Sequence, residues 1–159
     1  MFASGKLLLT GEYFVLDGAL ALAIPVRFGQ RMEVVPGTAK DELHWRSLNE
    51  KGEEWFSGSW LNQNGQAVLR NASDAEVRER LQQRFTAVLG QRSNGLATLF
   101  GTNVTTQVDF PREWGLGTSS TLVSLLAQQT NTNPYQLLAA TFGGSVYDFA
   151  CAAATTPIL

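Results

Sequence analysis

Hydrophobic and polar positions change their spacing twice along the chain. Over the first 36 residues the apolar positions come in short runs, "KLLL" (6–9), "YFVL" (13–16), "LALAI" (20–24) and "RFGQRMEVV" (27–35), punctuated by Gly11, Asp17-Gly18 and Pro25. Short runs bounded by such residues predict strands, and Asp17-Gly18 predicts a hairpin turn because both residues tolerate positive φ. Between 40 and 70 the pieces "LHWRSL" and "EEWFSGSW" predict exposed hairpin strands, with Trp45, Trp55 and Trp60 supplying the apolar area of one face.

From Ser73 the period lengthens. Val77, Leu81, Phe85, Val88 and Leu89 share one helical face, while Glu76, Arg78, Glu79, Gln82 and Arg84 lie outside it. Ser73 with Glu76 three residues on fits a capping box, and Gly90 or Gly95 fits the stop. Alternation returns in "TNVTTQVDF" (102–110), where Val104, Thr106, Val108 and Phe110 share a face and predict another strand. "STLVSLLAQQT" (120–130) predicts a second helix, and Asn133-Pro134 a cap and first-turn residue for a third over 134–141. "FGGSVYDFACAAA" (142–154) opens with a glycine turn and ends in small residues suited to close helix packing.

Composition narrows the function classes. With 159 residues, 44% of them hydrophobic, the chain has enough apolar material for one core and too little for two comfortable domains. Lys plus Arg number 12 against 14 acidic residues, which gives no electrostatic footprint for nucleic acid. A single cysteine, Cys151, excludes an internal disulfide framework and leaves no Cys/His cluster for a structural metal. The first residues lack the basic-then-apolar order of a secretion signal, and no apolar run reaches membrane-spanning length, so a cytoplasmic location is expected. His44, without an identifiable catalytic partner, reads as a surface or packing residue.

Candidate chemistry centres on "FPREWGLGTSST" (110–121), a bare turn between a strand pattern and a helix pattern. Unpaired N–H groups and the positive end of a helix dipole favour an anion, and glycines let it approach the backbone. The turn lacks both the lysine of a P-loop and the third glycine of GxGxxG. A plain strand-to-helix connection capped by Thr118, Ser119 or Ser120 is the competing reading. Two further stretches bear on the choice. "SGKLLLTGEYFVLDG" (4–18) places Lys6 at a strand start and Glu12 after Gly11, and "GGSVYDFA" (143–150) places Asp148 just past a double glycine. A lysine, an anion loop and a carboxylate are the groups a phosphoryl transfer uses.

Together the three stretches resemble the motifs of the GHMP kinases, the family of galactokinase, homoserine kinase, mevalonate kinase and phosphomevalonate kinase. "GKLLLTGEYFVLDG" is similar to the family's first motif, in the form closest to phosphomevalonate kinases and to a bacterial group whose third stretch reads GYDIA. "WGLGTSST" is similar to the second motif, and "GGSVYDFACA" stands where the GYDIA group carries its catalytic aspartate. The resemblance spans residues 4 to 154. It implies an α+β fold like domain 2 of ribosomal protein S5, built from residues 1–159 as the ATP-binding half, with the family's C-terminal domain absent. It further implies that Gly115, Leu116, Gly117, Thr118, Ser119 and Ser120 wrap the phosphates of ATP, with the Ser119 hydroxyl on Mg²⁺. Asp148 would be the base toward the acceptor alcohol, and Lys6 would pair with it or stabilise the transferring group. Glu12 would support that lysine or border the substrate, a small-molecule alcohol or a phosphorylated acceptor, and Tyr13 would stand on the substrate side.

The chain departs from the family pattern at several positions. Val146 stands where a glycine is usual, and valine resists positive φ. Tyr13 replaces the histidine of mevalonate kinases, and "YQLLAATFGG" (135–144) lacks their magnesium-binding glutamate. Two other readings use the same fold: a non-catalytic remnant or subunit binding a partner that supplies the missing half, and an S5-like RNA-binding module suggested by fold analogy alone; a homo-oligomer or a separate C-terminal half is the expected protein partner.

Overall fold

A computed structural model describes residues 1–10, 20–142 and 156–157. Six strands form one mixed sheet: β1 (Phe2–Leu8), β2 (Ala23–Pro36), β3 (Glu42–Leu48), β4 (Glu54–Gln63), β5 (Gln66–Ala72) and β6 (Thr102–Val108). Helices α1 (Ala75–Gln91), α2 (Thr118–Thr130) and α3 (Pro134–Phe142) accompany it, with 3-10 turns at Gly95–Thr98 and Arg112–Trp114. The spatial order is β1-β2-β6-β3-β4-β5, and every neighbouring pair is antiparallel except β3 with β6. The expected α+β class is what the chain adopts. The strand over 13–16 and the Asp17-Gly18 turn lie outside the described residues, as do the 143–154 stretch and Cys151.

Two predicted strands are one. "LALAI" and "RFGQRMEVV" join in β2, which runs through Pro25. Proline is tolerated there because β6 pairs with β2 only from Gln30 onward, so no ladder partner is lost on that side. The third strand of the 40–72 region, β5, carries few apolar residues and gave no periodic signal of its own.

The helices cover one face of the sheet. Ala3, Met32, Leu43, Trp45, Phe56, Trp60 and Val104 from the strands meet Leu81, Phe85, Val88, Val123, Leu126 and Leu137 in one buried cluster. Arg31, Glu33, His44, Arg46 and Asn103 point from the other face into solvent. The hairpin expected to be exposed is therefore interior. Because β3 is sandwiched between β6 and β4, Trp45 and Trp60 are 1% and 0% exposed, and both rings pack edge-on against Phe85 at 6.1 and 5.3 Å.

Buried indoles need acceptors, and the core supplies two of them. Trp45 Nε1 donates to Ser47 Oγ at 3.1 Å, and Trp60 Nε1 donates to Gln82 Oε1 at 2.9 Å. Gln82 in turn donates to the Ala67 carbonyl at 2.9 Å, so one polar side chain of α1 fastens the ends of β4 and β5.

Trp55 behaves differently from the other two. It lies an odd number of residues from Trp60, so regular alternation would turn it to the opposite face. Ser47 pairs with Phe56 and Leu48 with Glu54, which leaves Trp55 as the extra residue of a bulge. Bulged residues are re-aimed, and this one turns beside Phe56 toward a cleft at the start of α2.

Helix ends differ from expectation by small, explicable steps. The N-cap of α1 is Asp74, whose carboxylate accepts from the Val77 N–H at 2.9 Å, and not Ser73. Ser73 Oγ is already engaged, accepting from the Ser57 N–H at 2.9 Å. Gly90 continues the helix, Arg92 is the C-cap, and Gly95 begins the following 3-10 turn. Asn133 caps α3 as expected, accepting from the N–H groups of Tyr135 and Gln136. His44 is on the surface, 2.9 Å from Glu42. Among the described residues no helix is long and apolar enough to cross a membrane.

The Gln82 bridge gives a direct test. Gln82→Ala strands the Trp60 N–H in the core, and the expected loss is about 1–2 kcal/mol of unfolding free energy, measured by chemical denaturation.

Candidate functional site

The turn between β6 and α2 is held from both sides. At its start, Asp109 Oδ1 accepts from the Gly29 N–H of β2 at 2.5 Å, and the Phe110 ring is fully buried. Further on, the Lys6 N–H of β1 donates to the Leu116 carbonyl at 2.9 Å. That bond exists because β1 and β2 lose register between Ser4 and Lys6: Ser4 opposes Gly29, but Lys6 opposes Pro25. The slack on β2 also brings Phe28 out to pack edge-on against Trp114, with ring centroids 5.7 Å apart.

Two glycines make the turn possible. Gly115 and Gly117 have φ of +69° and +87°, a region that side chains with a Cβ rarely enter. Gly117 is the N-cap of α2, which corrects the expectation of Thr118, Ser119 or Ser120. Having no side chain, it leaves the first N–H groups of the helix without a side-chain cap. The hydroxyls of Ser120 and Thr121 face the other way, donating to the Gly117 carbonyl at 3.0 and 3.3 Å. Thr121 Oγ1 also lies 2.8 Å from Gln30 Oε1 and so anchors the first turn to β2. Ser119 is exposed.

A cation flanks this helix start on one side. A Cβ placed on Gly117 would stand 3.4 Å from Lys6 Cγ, so the lysine stem runs directly past the N-cap. The same Cβ would stand 2.9 Å from Ser120 Oγ. At Gly115 it would meet no atom of the described residues within 4 Å. Of the residues expected at the site, the structure thus brings together Lys6 and Gly115 through Ser120. Glu12, Tyr13 and Asp148 lie outside the described residues.

A cleft lies between α1, the β3–β4 hairpin and the first turn of α2, with about 650 Å³ of empty space, its open mouth included. Trp55, Arg80, Arg84, Arg112, Thr118 and Ser119 line it, with no carboxylate among the described residues. Arg84 was expected outside the apolar face of α1, yet it is only 4% exposed. Its Nη1 donates to the Arg80 carbonyl at 2.8 Å, and burial, with a smaller push from the Arg80 charge, lowers its pKa to about 10. It remains a cation at neutral pH. Periodicity could not find Arg84, because a long stem on the edge of a helical face snorkels or buries according to what stands opposite.

Solved structures share this arrangement of strands and helices. Mevalonate kinase of Methanococcus jannaschii superposes on 96% of the chain with a TM-score of 0.61 and 17% identity, using 50% of its own length. Galactokinase of Lactococcus lactis, solved with galactose, superposes on 94% with a TM-score of 0.61 and 15% identity, using 40% of its length. The fold is that of GHMP kinases. A Listeria innocua protein matches 98% of the chain at a TM-score of 0.65 and 17% identity. The chain spans about half the length of these GHMP-fold structures. No family model matches the sequence, and no curated protein is similar to it.

The two ends of the GHMP-fold turn separate in a stability measurement. Gly117→Ala forces a Cβ into Ser120 at positive φ and is expected to cost at least about 1–2 kcal/mol. Gly115→Ala bears the same backbone penalty with no collision, so its loss in thermal unfolding should be the smaller. Arg84→Met keeps an apolar stem and removes a buried charge whose desolvation is present in full below pH 10. Its unfolding midpoint is expected to fall, since removing the guanidinium leaves the buried groups that hold it, the Arg80 carbonyl among them, without their donor.

Proposed function

We propose that the chain is the nucleotide-binding half of an ATP-dependent small-molecule kinase of GHMP type, similar in action to mevalonate or phosphomevalonate kinases. The observation that carries this reading is the helix start at Gly117, uncapped by any side chain and flanked by Lys6. Such a start offers several aligned N–H donors and a partial positive charge to a phosphate. Among the described residues none crowds Gly115, which leaves room for an anion against the backbone.

Each group then has one task. The N–H groups from Gly115 to Ser120 hold the β- and γ-phosphates, and the Lys6 ammonium balances charge on the transferring group. Among the described residues no cluster of three His, Cys, Asp or Glu side chains exists to hold a metal. The exposed Ser119 hydroxyl suits a magnesium ion that keeps most of its ligands from phosphates and water, and such an ion would neutralise phosphate charge. Asp148 takes the proton of the acceptor alcohol as its oxygen attacks the γ-phosphorus and the bond to the β–γ bridging oxygen breaks. Glu12 and Tyr13 border the acceptor. Because the chain spans about half of its GHMP-fold neighbours, the remaining walls of the acceptor site belong to a second domain or a separate subunit.

Calorimetric titration with Mg-ATP tests the cradle. Saturable binding is expected, with Ser119→Ala weakening it about tenfold in the presence of magnesium. Asp148→Asn should leave that affinity near the parent value while phosphoryl transfer in the complete enzyme collapses. Unchanged turnover in Asp148→Asn removes the aspartate from the mechanism, and absence of nucleotide binding removes the kinase reading.

A further inference from the structure

Charge is distributed unevenly over the molecule. Acidic residues outnumber Lys plus Arg by 14 to 12, so the chain as a whole carries a net charge of -2. The cleft beside the first turn of α2 has the opposite sign. Arg80, Arg84 and Arg112 line it together with Thr118 and Ser119, and no carboxylate among the described residues does.

The three guanidinium groups are held by different means. Arg80 is paired with Glu76 one helical turn away, but Glu76 is exposed and does not line the cleft. Arg84 is buried with its Nη1 on the Arg80 carbonyl, so little water screens its charge. Arg112 is exposed in the 3-10 turn before Gly115, its Cζ 3.9 Å from the centre of the Trp55 ring, and it has no salt bridge among the described residues. Like charges on one wall repel: desolvation, and then the Arg80 charge, act against the charged form of Arg84. An anion in the cleft offsets that repulsion. Glu54 and Glu113 adjoin lining residues in the chain, yet neither lines the cleft, and Glu54 is neutralised by Arg46 on the opposite face of the sheet.

We propose that Arg80, Arg84 and Arg112 form an electrostatic funnel, which captures polyphosphate anions at the mouth of this cleft and sets the rate at which they reach the helix start at Gly117. The inference rests on the phosphate-binding reading of the Gly115–Ser120 turn. Walls of low dielectric concentrate field lines that open water would disperse, and lining charges of one sign raise association rates about tenfold or more. Range decides which charges count. At physiological ionic strength the screening length is about 8 Å, so an anion at the mouth responds to the arginines that line it and hardly to the acidic excess elsewhere. Capture comes before docking. The funnel therefore governs association, while hydrogen bonds from the turn govern how long the anion stays. It selects by charge, which favours triphosphates over monophosphates.

Stopped-flow fluorescence polarisation with ribose-labelled Mg-ATP gives both rates for the parent chain and for variants shown by thermal unfolding to be folded. Arg80→Gln and Arg112→Gln are each expected to slow association about threefold at low ionic strength, with dissociation changed by less than about twofold. The differences should vanish at about 0.5 M salt, where the screening length falls to a few ångströms. Arg80→Lys and Arg112→Lys, which keep the charge, should restore the parent rate. Glu76→Gln removes the counter-charge of Arg80 and is expected to speed association about twofold, a gain that a merely structural role would not produce. Arg46→Gln, on the opposite face, should leave both rates unchanged. If one arginine variant fails to fold, the other and Glu76→Gln supply the measurement. Faster dissociation with association untouched, losses that persist in high salt, or lysine variants as slow as the glutamine ones overturn the funnel and leave the phosphate turn in place. Failure of the parent chain to bind labelled or plain Mg-ATP overturns the kinase reading and this inference with it.

Discussion

The hydrogen bond from the Lys6 N–H to the Leu116 carbonyl is the constraint on which the site depends. It ties an edge strand to a turn more than a hundred residues later, and it does so only because β1 and β2 lose register between Ser4 and Lys6. One backbone contact therefore sets two things at once: the height of the Lys6 side chain and the position of Gly117 beneath it. With the other end of the turn fixed by Asp109 on Gly29, little freedom remains between Phe110 and Thr118 for the glycines to express. Their positive φ is thus imposed from outside the turn. An anion meeting these N–H groups finds them already aligned, so less ordering has to accompany its binding.

The polar groups of the interior divide along the same line. On the core side they are mutually satisfied: Trp60 with Gln82, Gln82 with Ala67, Trp45 with Ser47, and Ser47 with Thr106. Toward the start of α2 the arrangement is costlier, with Arg84 desolvated enough to lower its pKa and the Trp55 indole N–H without an acceptor among the described residues. Expense confined to one wall of one cleft is the pattern that functional sites impose on otherwise consistent folds.

How much of this was legible in the sequence follows from how local each feature is. The helices announced themselves through spacing, and the Asn133-Pro134 start held because its signal lies within four residues. The cap of α1 slipped by one residue because Ser73 and Asp74 are both competent acceptors, and a strand elsewhere, at Ser57, decided which was free. The bare turn at 110–121 was conspicuous for its lack of side chains, and the structure places its N-cap on Gly117. Arg84, Trp55 and Arg112 were not legible. Each owes its environment to contacts that spacing does not show: the burial of the Arg84 guanidinium, a missing residue of β3 opposite Trp55, and that same tryptophan for Arg112. Glu12, Tyr13 and Asp148 rest on motif resemblance and lie outside the described residues.

The position of β6 also governs the order in which the molecule can be assembled. β1 and β2 form one group, β3, β4 and β5 another, and only β6 touches both, antiparallel to β2 and parallel to β3. On a ribosome the two groups emerge with neither able to complete its hydrogen bonds, and they stay separate until Val108 has left the exit tunnel. Closing the sheet then joins residues some seventy positions apart, the kind of pairing that makes folding slow. The glycine turn follows β6 directly in the chain, so it takes shape only as the sheet closes. A nascent chain halted before that point carries two unfinished strand edges and no ordered glycine turn, and a chain that has acquired the turn has, by the same event, finished its sheet.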